Sequence, residues 1–155
     1  MAMYTSLGGP DWLINSGWAG TFDDDGSSAT NPCGPTPWHG LTCNTTGNAS
    51  HVTEISLVHN NLAAASLQPA ALALHDLPHL THLDLSNNGS RVSVDANRIH
   101  GALPEEICGV GAGSLEVLSL MYNNISGTLP ACLDGDAMPR LSVLNLGERH
   151  RGHHA

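Results

Sequence analysis

The sequence contains no lysine, and its basic residues are five arginines against fourteen acidic side chains. The formal charge of −9 repels phosphate backbones, which excludes nucleic acid as a partner and disfavours anionic membrane surfaces. Aromatic residues are scarce: three Trp, two Tyr and a single Phe. Large rings therefore cannot fill the core along the whole chain. No stretch reaches the roughly 18 uninterrupted apolar residues that a membrane helix requires, so no membrane span is expected. No C-x-x-C pair occurs, which removes zinc-ribbon and thioredoxin-type sites. G-x-S-x-G, the P-loop and H-E-x-x-H are missing too. Nothing supports an enzyme, and no cofactor or catalytic residue is expected. The opening Met1-Ala2-Met3-Tyr4-Thr5 lacks the basic start and apolar run of a signal peptide.

What is abundant is leucine, and it recurs with a pattern. Leu80, Leu83, Leu85 and Asn88 follow L-x-x-L-x-L-x-x-N, as do Leu115, Leu118, Leu120 and Asn123. Val52, Ile55, Leu57 and Asn60 fill the same four places. Leu141, Leu144 and Leu146 begin a fourth copy in which Arg149 stands where Asn belongs. The tails repeat as well. Asn97-Arg98-Ile99-His100-Gly101-Ala102-Leu103-Pro104 and Asn123-Asn124-Ile125-Ser126-Gly127-Thr128-Leu129-Pro130 both read N-x-I-x-G-x-L-P. The first of these tails is displaced from its strand by an insertion, Gly89 to Asn97. The unit starting at Asn60-Asn61-Leu62 carries a blurred version that runs to Pro69.

The physical reading is a coil with one short strand per turn. Alternating leucines point inward and the residues between them point out. The Asn side chain bonds backbone groups left unpaired where the chain turns. One unit cannot bury its leucines alone, so stacked units share a core.

These repeats resemble leucine-rich repeats, and the N-x-I-x-G-x-L-P tail resembles their plant-type subclass. Tyr4, Gly8-Gly9-Pro10, Trp12, Asn15 and Gly17-Trp18 resemble the opening of plant, algal and oomycete leucine-rich-repeat ectodomains. Pro32-Cys33 followed by Trp38-His39-Gly40-Leu41-Thr42-Cys43 resembles their capping motif, P-C-x-W-x-G-V-x-C. The resemblance implies an α/β solenoid: a right-handed coil with short parallel strands on its concave face and an N-terminal helical cap. The expected organisation is a cap over residues 1–50, three complete repeats and a partial fourth over 51–148, and a disordered His-rich tail over 149–155. The chain is expected to be a fragment, or a truncated gene model, of a longer protein.

Four cysteines, Cys33, Cys43, Cys108 and Cys132, fit two disulfides in number, although spacing alone does not assign them. The capping motif implies a Cys33–Cys43 bond that closes a short loop around a largely buried Trp38. Cys108 and Cys132 stand in equivalent stretches of consecutive units. The recurrence of an I-C…P-x-C-L pairing in plant-type repeats implies a bridge there, with two buried free thiols as the alternative. Sequons at Asn44, Asn48, Asn88 and Asn124 point towards the secretory route and glycosylation. Asn88 is the weakest of them, because it also occupies the turn-forming position.

Other polar clusters read as structural. Asp23-Asp24-Asp25-Gly26 lacks the alternation of a calcium loop and reads as a solvated loop. Glu105 and Glu106 follow Pro104 and suit the start of a short convex-side helix. His75, His79 and His82 lie close in sequence, but Pro78 breaks the helix that would align the first two, so no metal site is assigned. His150, His153 and His154 form a tail with adventitious metal affinity only.

Recognition falls to the outward positions of the strands, which stack into columns. One holds Glu54, His82, Val117 and Val143, and the next Ser56, Asp84, Ser119 and Asn145. A third holds Val58, Ser86, Met121 and Gly147, and the last His59, Asn87, Tyr122 and Glu148. Met121 and Tyr122 are the foremost contact residues, because adaptable and amphipathic side chains anchor interfaces. The resemblance implies a non-enzymatic recognition module from a secreted or cell-surface receptor-like protein, binding peptide, protein or glycan through its concave face. The alternatives are a structural or inhibitor-type wall protein, similar to polygalacturonase inhibitors, and a cytoplasmic scaffold.

Overall fold

The computed structural model describes residues 2–19, 31–88, 99–134 and 137–147. The Asp23–Asp25 cluster, the insertion from Gly89, Glu148 and the histidine tail lie outside them. The chain begins with α1 (Ala2–Ser6) and a 3-10 turn (Gly9–Asp11), followed by β1 (Leu41–Thr46), β2 (Ala49–Ser56) and α2 (Gln68–Leu74). Then come β3 (His82–Asp84), β4 (His100–Ala102) and a 3-10 helix (Glu105–Gly113). The last elements are β5 (Val117–Ser119), β6 (Asn124–Ser126), a 3-10 turn (Ala131–Asp134) and β7 (Val143–Asn145).

Strands β2, β3, β5 and β7 each come from one leucine repeat and lie side by side in parallel. Their shared register follows from the repeated pattern. Ile55, Leu83, Leu118 and Leu144 are mutual partners along the row. A one-residue slip would turn every leucine to the outer face. Leu80, Leu83, Leu85, Leu115, Leu118 and Leu120 are fully buried, together with Leu57 and Leu62. In the last coil Leu141, Leu144 and Leu146 are only half-buried.

The sheet is mixed, where parallel strands alone were expected. β1 forms an antiparallel hairpin with β2 and occupies the sheet edge. The two-residue connection Gly47-Asn48, with Gly47 at φ 64°, suits a tight hairpin. A helical cap was expected before it. The described part holds one five-residue helix, the 3-10 turn and the hairpin. Its interior is a chain of rings. Tyr4 meets Trp12 at 5.1 Å, Trp12 meets Trp18 at 5.3 Å, and Trp18 meets Trp38 at 5.3 Å between ring centroids. Trp12 and Trp18 are buried, while Trp38 is half-buried rather than largely buried. The few aromatic residues are thus concentrated where no leucine repeat exists to form a core.

A second parallel sheet pairs β4 with β6. Both strands come from the N-x-I-x-G tails. Ala64 of the blurred tail joins them through a bridge to Ile99. Gly101 shows why glycine is needed here: its φ is 96°, and a Cβ would lie 2.8 Å from the Ala65 carbonyl oxygen. On the remaining side α2 packs against α1 and against the Glu105–Gly113 helix.

Candidate binding face

The strand register builds the outward face. Glu54, His82, Val117 and Val143 stand in one row, and Ser56, Asp84, Ser119 and Asn145 in the next. Beyond the strands the ladder continues. His59 N–H donates to Ser86 O, Asn87 N–H to Met121 O, and Tyr122 N–H to Gly147 O, at 3.3, 2.8 and 2.9 Å. Val58, Ser86, Met121 and Gly147 therefore form a third row, with His59, Asn87 and Tyr122 at the rim.

The rim has a shared conformation. His59, Asn87 and Tyr122 lie at φ 56°, 58° and 58°, the left-handed region that side chains other than glycine rarely occupy. The next residue explains it. Asn60, Asn88 and Asn123 are buried, and the left-handed step turns each carboxamide into the coil. Asn88 donates to the carbonyls of Leu57, Leu85 and Ser86 and accepts the N–H groups of Asn60 and Leu62. Asn123 donates to Leu85 and Leu120, and its Oδ1 is buried without a partner among the described residues. Asn60 performs the same service for the N-terminal unit, bonding both backbone groups of Ile14.

Of the contact residues expected from sequence, Ser56 and His59 are exposed, and Glu54, His82, Asp84, Asn87, Val117, Met121 and Tyr122 are half-buried. Ser119 is different. It is buried, and its hydroxyl is engaged by Ser86 at 2.7 Å, which removes it from the accessible face. That pair was missed because two serines one row apart give no periodic signal. Asp84 accepts the Ser86 N–H at 2.9 Å, and its other oxygen has no partner among the described residues. His82 shares a 2.9 Å hydrogen bond with Thr81.

The cysteines lie outside these rows. Cys33 and Cys43 are bonded with Cα atoms 5.7 Å apart, and Cys108 and Cys132 with Cα atoms 5.8 Å apart. The second bond joins the Glu105–Gly113 helix to the Ala131–Asp134 turn of the next coil. Asn44, Asn48 and Asn124 are exposed. The three neighbouring histidines diverge. His75 donates to the Glu106 carbonyl at 2.6 Å, His79 stacks on His51, and His82 lies on the concave strand. No group of three metal-ligating side chains converges among the described residues. No described helix is long and apolar enough to cross a membrane.

Two family models described as leucine-rich repeats match the chain, at residues 76–89 and 114–135. No curated protein matches it. A solved structure, the crystal structure of PEPR1–AtPEP1, is similar with a TM-score of 0.59 and 22% identity, over 94% of this chain. The chain spans 17% of that protein's length. The fold is a leucine-rich-repeat solenoid. Such repeats are generally interaction modules rather than catalysts.

Proposed function

We propose that the chain is a protein- or peptide-binding module, the N-terminal part of a secreted or cell-surface receptor-like protein, and that its ligand lies across the concave rows. The observation that carries this reading is the common register of four parallel strands, which aligns their outward side chains into continuous rows. A ligand strand crossing them would meet carboxylates at Glu54 and Asp84, hydroxyls at Ser56, and the adaptable Met121 beside Tyr122. The left-handed rim is held from beneath by buried asparagines, so the face is preorganised and little ordering free energy is lost on binding. The extracellular assignment is supported by the pairing of all four cysteines, because such bonds persist in oxidising compartments. The similarity to the PEPR1–AtPEP1 structure supports the choice of a peptide-sized partner.

The test is panning of a displayed random-peptide library against the chain. Selected peptides should bind the parent and lose at least about tenfold in affinity, or 1.4 kcal/mol, with Asp84→Arg or Met121→Arg. Arg140→Ala, exposed just ahead of Leu141 and outside the rows, should leave affinity unchanged. Peptides that bind all three variants alike would remove the concave face from the mechanism.

A further inference from the structure

The histidines that are close in sequence separate, but two that are distant meet. His51 lies in β2 and His79 in the turn that precedes β3, and their ring centroids are 4.1 Å apart with planes at 46°. They face a surface groove also lined by Asn31, Ser50 and Asp76. We propose that His51 and His79 form a two-imidazole site for a divalent transition-metal ion, taking Cu²⁺ most tightly.

The two rings are close enough for one ion to reach both. Metal–nitrogen distances near 2.0–2.1 Å place two imidazole centroids on one ion about 4.5–5 Å apart at square-planar or tetrahedral angles. The observed 4.1 Å is shorter, so coordination requires the rings to turn apart. Both rings stand on fixed backbone. His51 is opposite Asn44 in the hairpin, next to the Val52–Cys43 pair. His79 lies in a turn braced by bonds from Leu77 N–H to Leu74 O and from Leu80 N–H to Leu77 O. Imidazole nitrogen suits Cu²⁺, Ni²⁺ and Zn²⁺, whereas Mg²⁺ and Ca²⁺ require oxygen ligands, and Cu²⁺ leads the divalent series. Because no third side chain converges among the described residues, water completes the coordination and the ion remains exchangeable. A bound ion would link the first leucine coil to the second, next to the Cys33–Cys43 bond.

The experiment uses the full chain carrying His150→Ala, His153→Ala and His154→Ala, which removes the competing tail. Cu²⁺ is titrated by calorimetry, and its paramagnetic resonance spectrum is recorded. Two imidazole nitrogens on the copper are expected, with a rise in melting temperature by mass action. His79 is exposed, so His79→Ala spares the core. It and His51→Ala should each weaken Cu²⁺ binding by at least about tenfold, the loss that even outer-shell changes produce in metal sites. Mg²⁺ should shift nothing. Copper affinity unchanged in either variant, copper spectra without a second imidazole, or an equal stabilisation by Mg²⁺ would overturn the site.

Discussion

The side-chain oxygen of Asn88 accepts the backbone N–H of Asn60 at 2.9 Å across 28 residues of sequence. One carboxamide thus joins two coils, and it also takes the N–H of Leu62. Replacing Asn88 with Ala leaves these buried donors, and the carbonyls facing them, without partners. Each such group costs about 1–3 kcal/mol. Asn88→Ala is therefore expected to lower stability by at least about 3 kcal/mol, measured by urea denaturation. Asn124→Ala, at an exposed side chain, should stay within about 0.5 kcal/mol.

The same burial separates the sequons. A glycan on Nδ2 of Asn88 would displace its bonds to Leu57, Leu85 and Ser86. In protein secreted from eukaryotic cells, glycopeptide mass spectrometry should find sugar at one or more of Asn44, Asn48 and Asn124, and none at Asn88. Occupancy of Asn88 in a folded fraction would contradict the packing.

The Cys108–Cys132 bond spans 24 residues and ties consecutive coils together. Loop entropy assigns such a bond roughly 3 kcal/mol. The paired substitution Cys108→Ser with Cys132→Ser should lower the denaturation midpoint accordingly. It should leave Cys33 and Cys43 linked in non-reduced peptide maps.

Glu106 receives a hydrogen bond from the Gln68 side chain, which holds its carboxyl below the ordinary carboxylate value, with a backbone bond and nearby His75 adding to the effect. Because the folded value is lowered, this contact favours folding at pH above the unfolded carboxylate value, and the benefit is lost as pH falls through the folded one. Carboxyl NMR titration should show Glu106 protonating late, and Gln68→Leu should move it back upwards. An unchanged titration in that variant would assign the shift to another cause.

Gly17, at φ 85°, lies under Trp38, where an added Cβ would be 2.3 Å from the ring carbon Cδ1. Gly17→Ala combines a left-handed backbone with this overlap and is expected to destabilise the N-terminal unit by about 1–3 kcal/mol. Trp38 should move towards solvent, seen as a red shift in emission.

The leucine rows were legible in sequence because their signal is local and repeated: four copies of one spacing fix the register of β2, β3, β5 and β7 without knowledge of distant contacts. The outward rows followed from the same arithmetic. What escaped the sequence depends on segments meeting in space. β1 runs antiparallel to the repeat strands, and no leucine spacing encodes it. The β4–β6 sheet is built from tails whose polar residues give no alternation. Ser119 reads as outward by position, yet pairs with Ser86. The proximity of His75, His79 and His82 along the chain suggested a group, whereas His51 and His79 came together only because β2 and the turn before β3 are neighbours in the coil.

All three tryptophans, Trp12, Trp18 and Trp38, belong to the ring chain of the N-terminal unit, each within 5.3 Å of the next between centroids. The leucine coils contain none. Intrinsic tryptophan emission therefore reports on the N-terminal unit alone, while far-ultraviolet dichroism reports on the strands of every coil. Followed together through a thermal ramp, the two signals measure whether the solenoid melts as one cooperative body or loses its coils from the far end first.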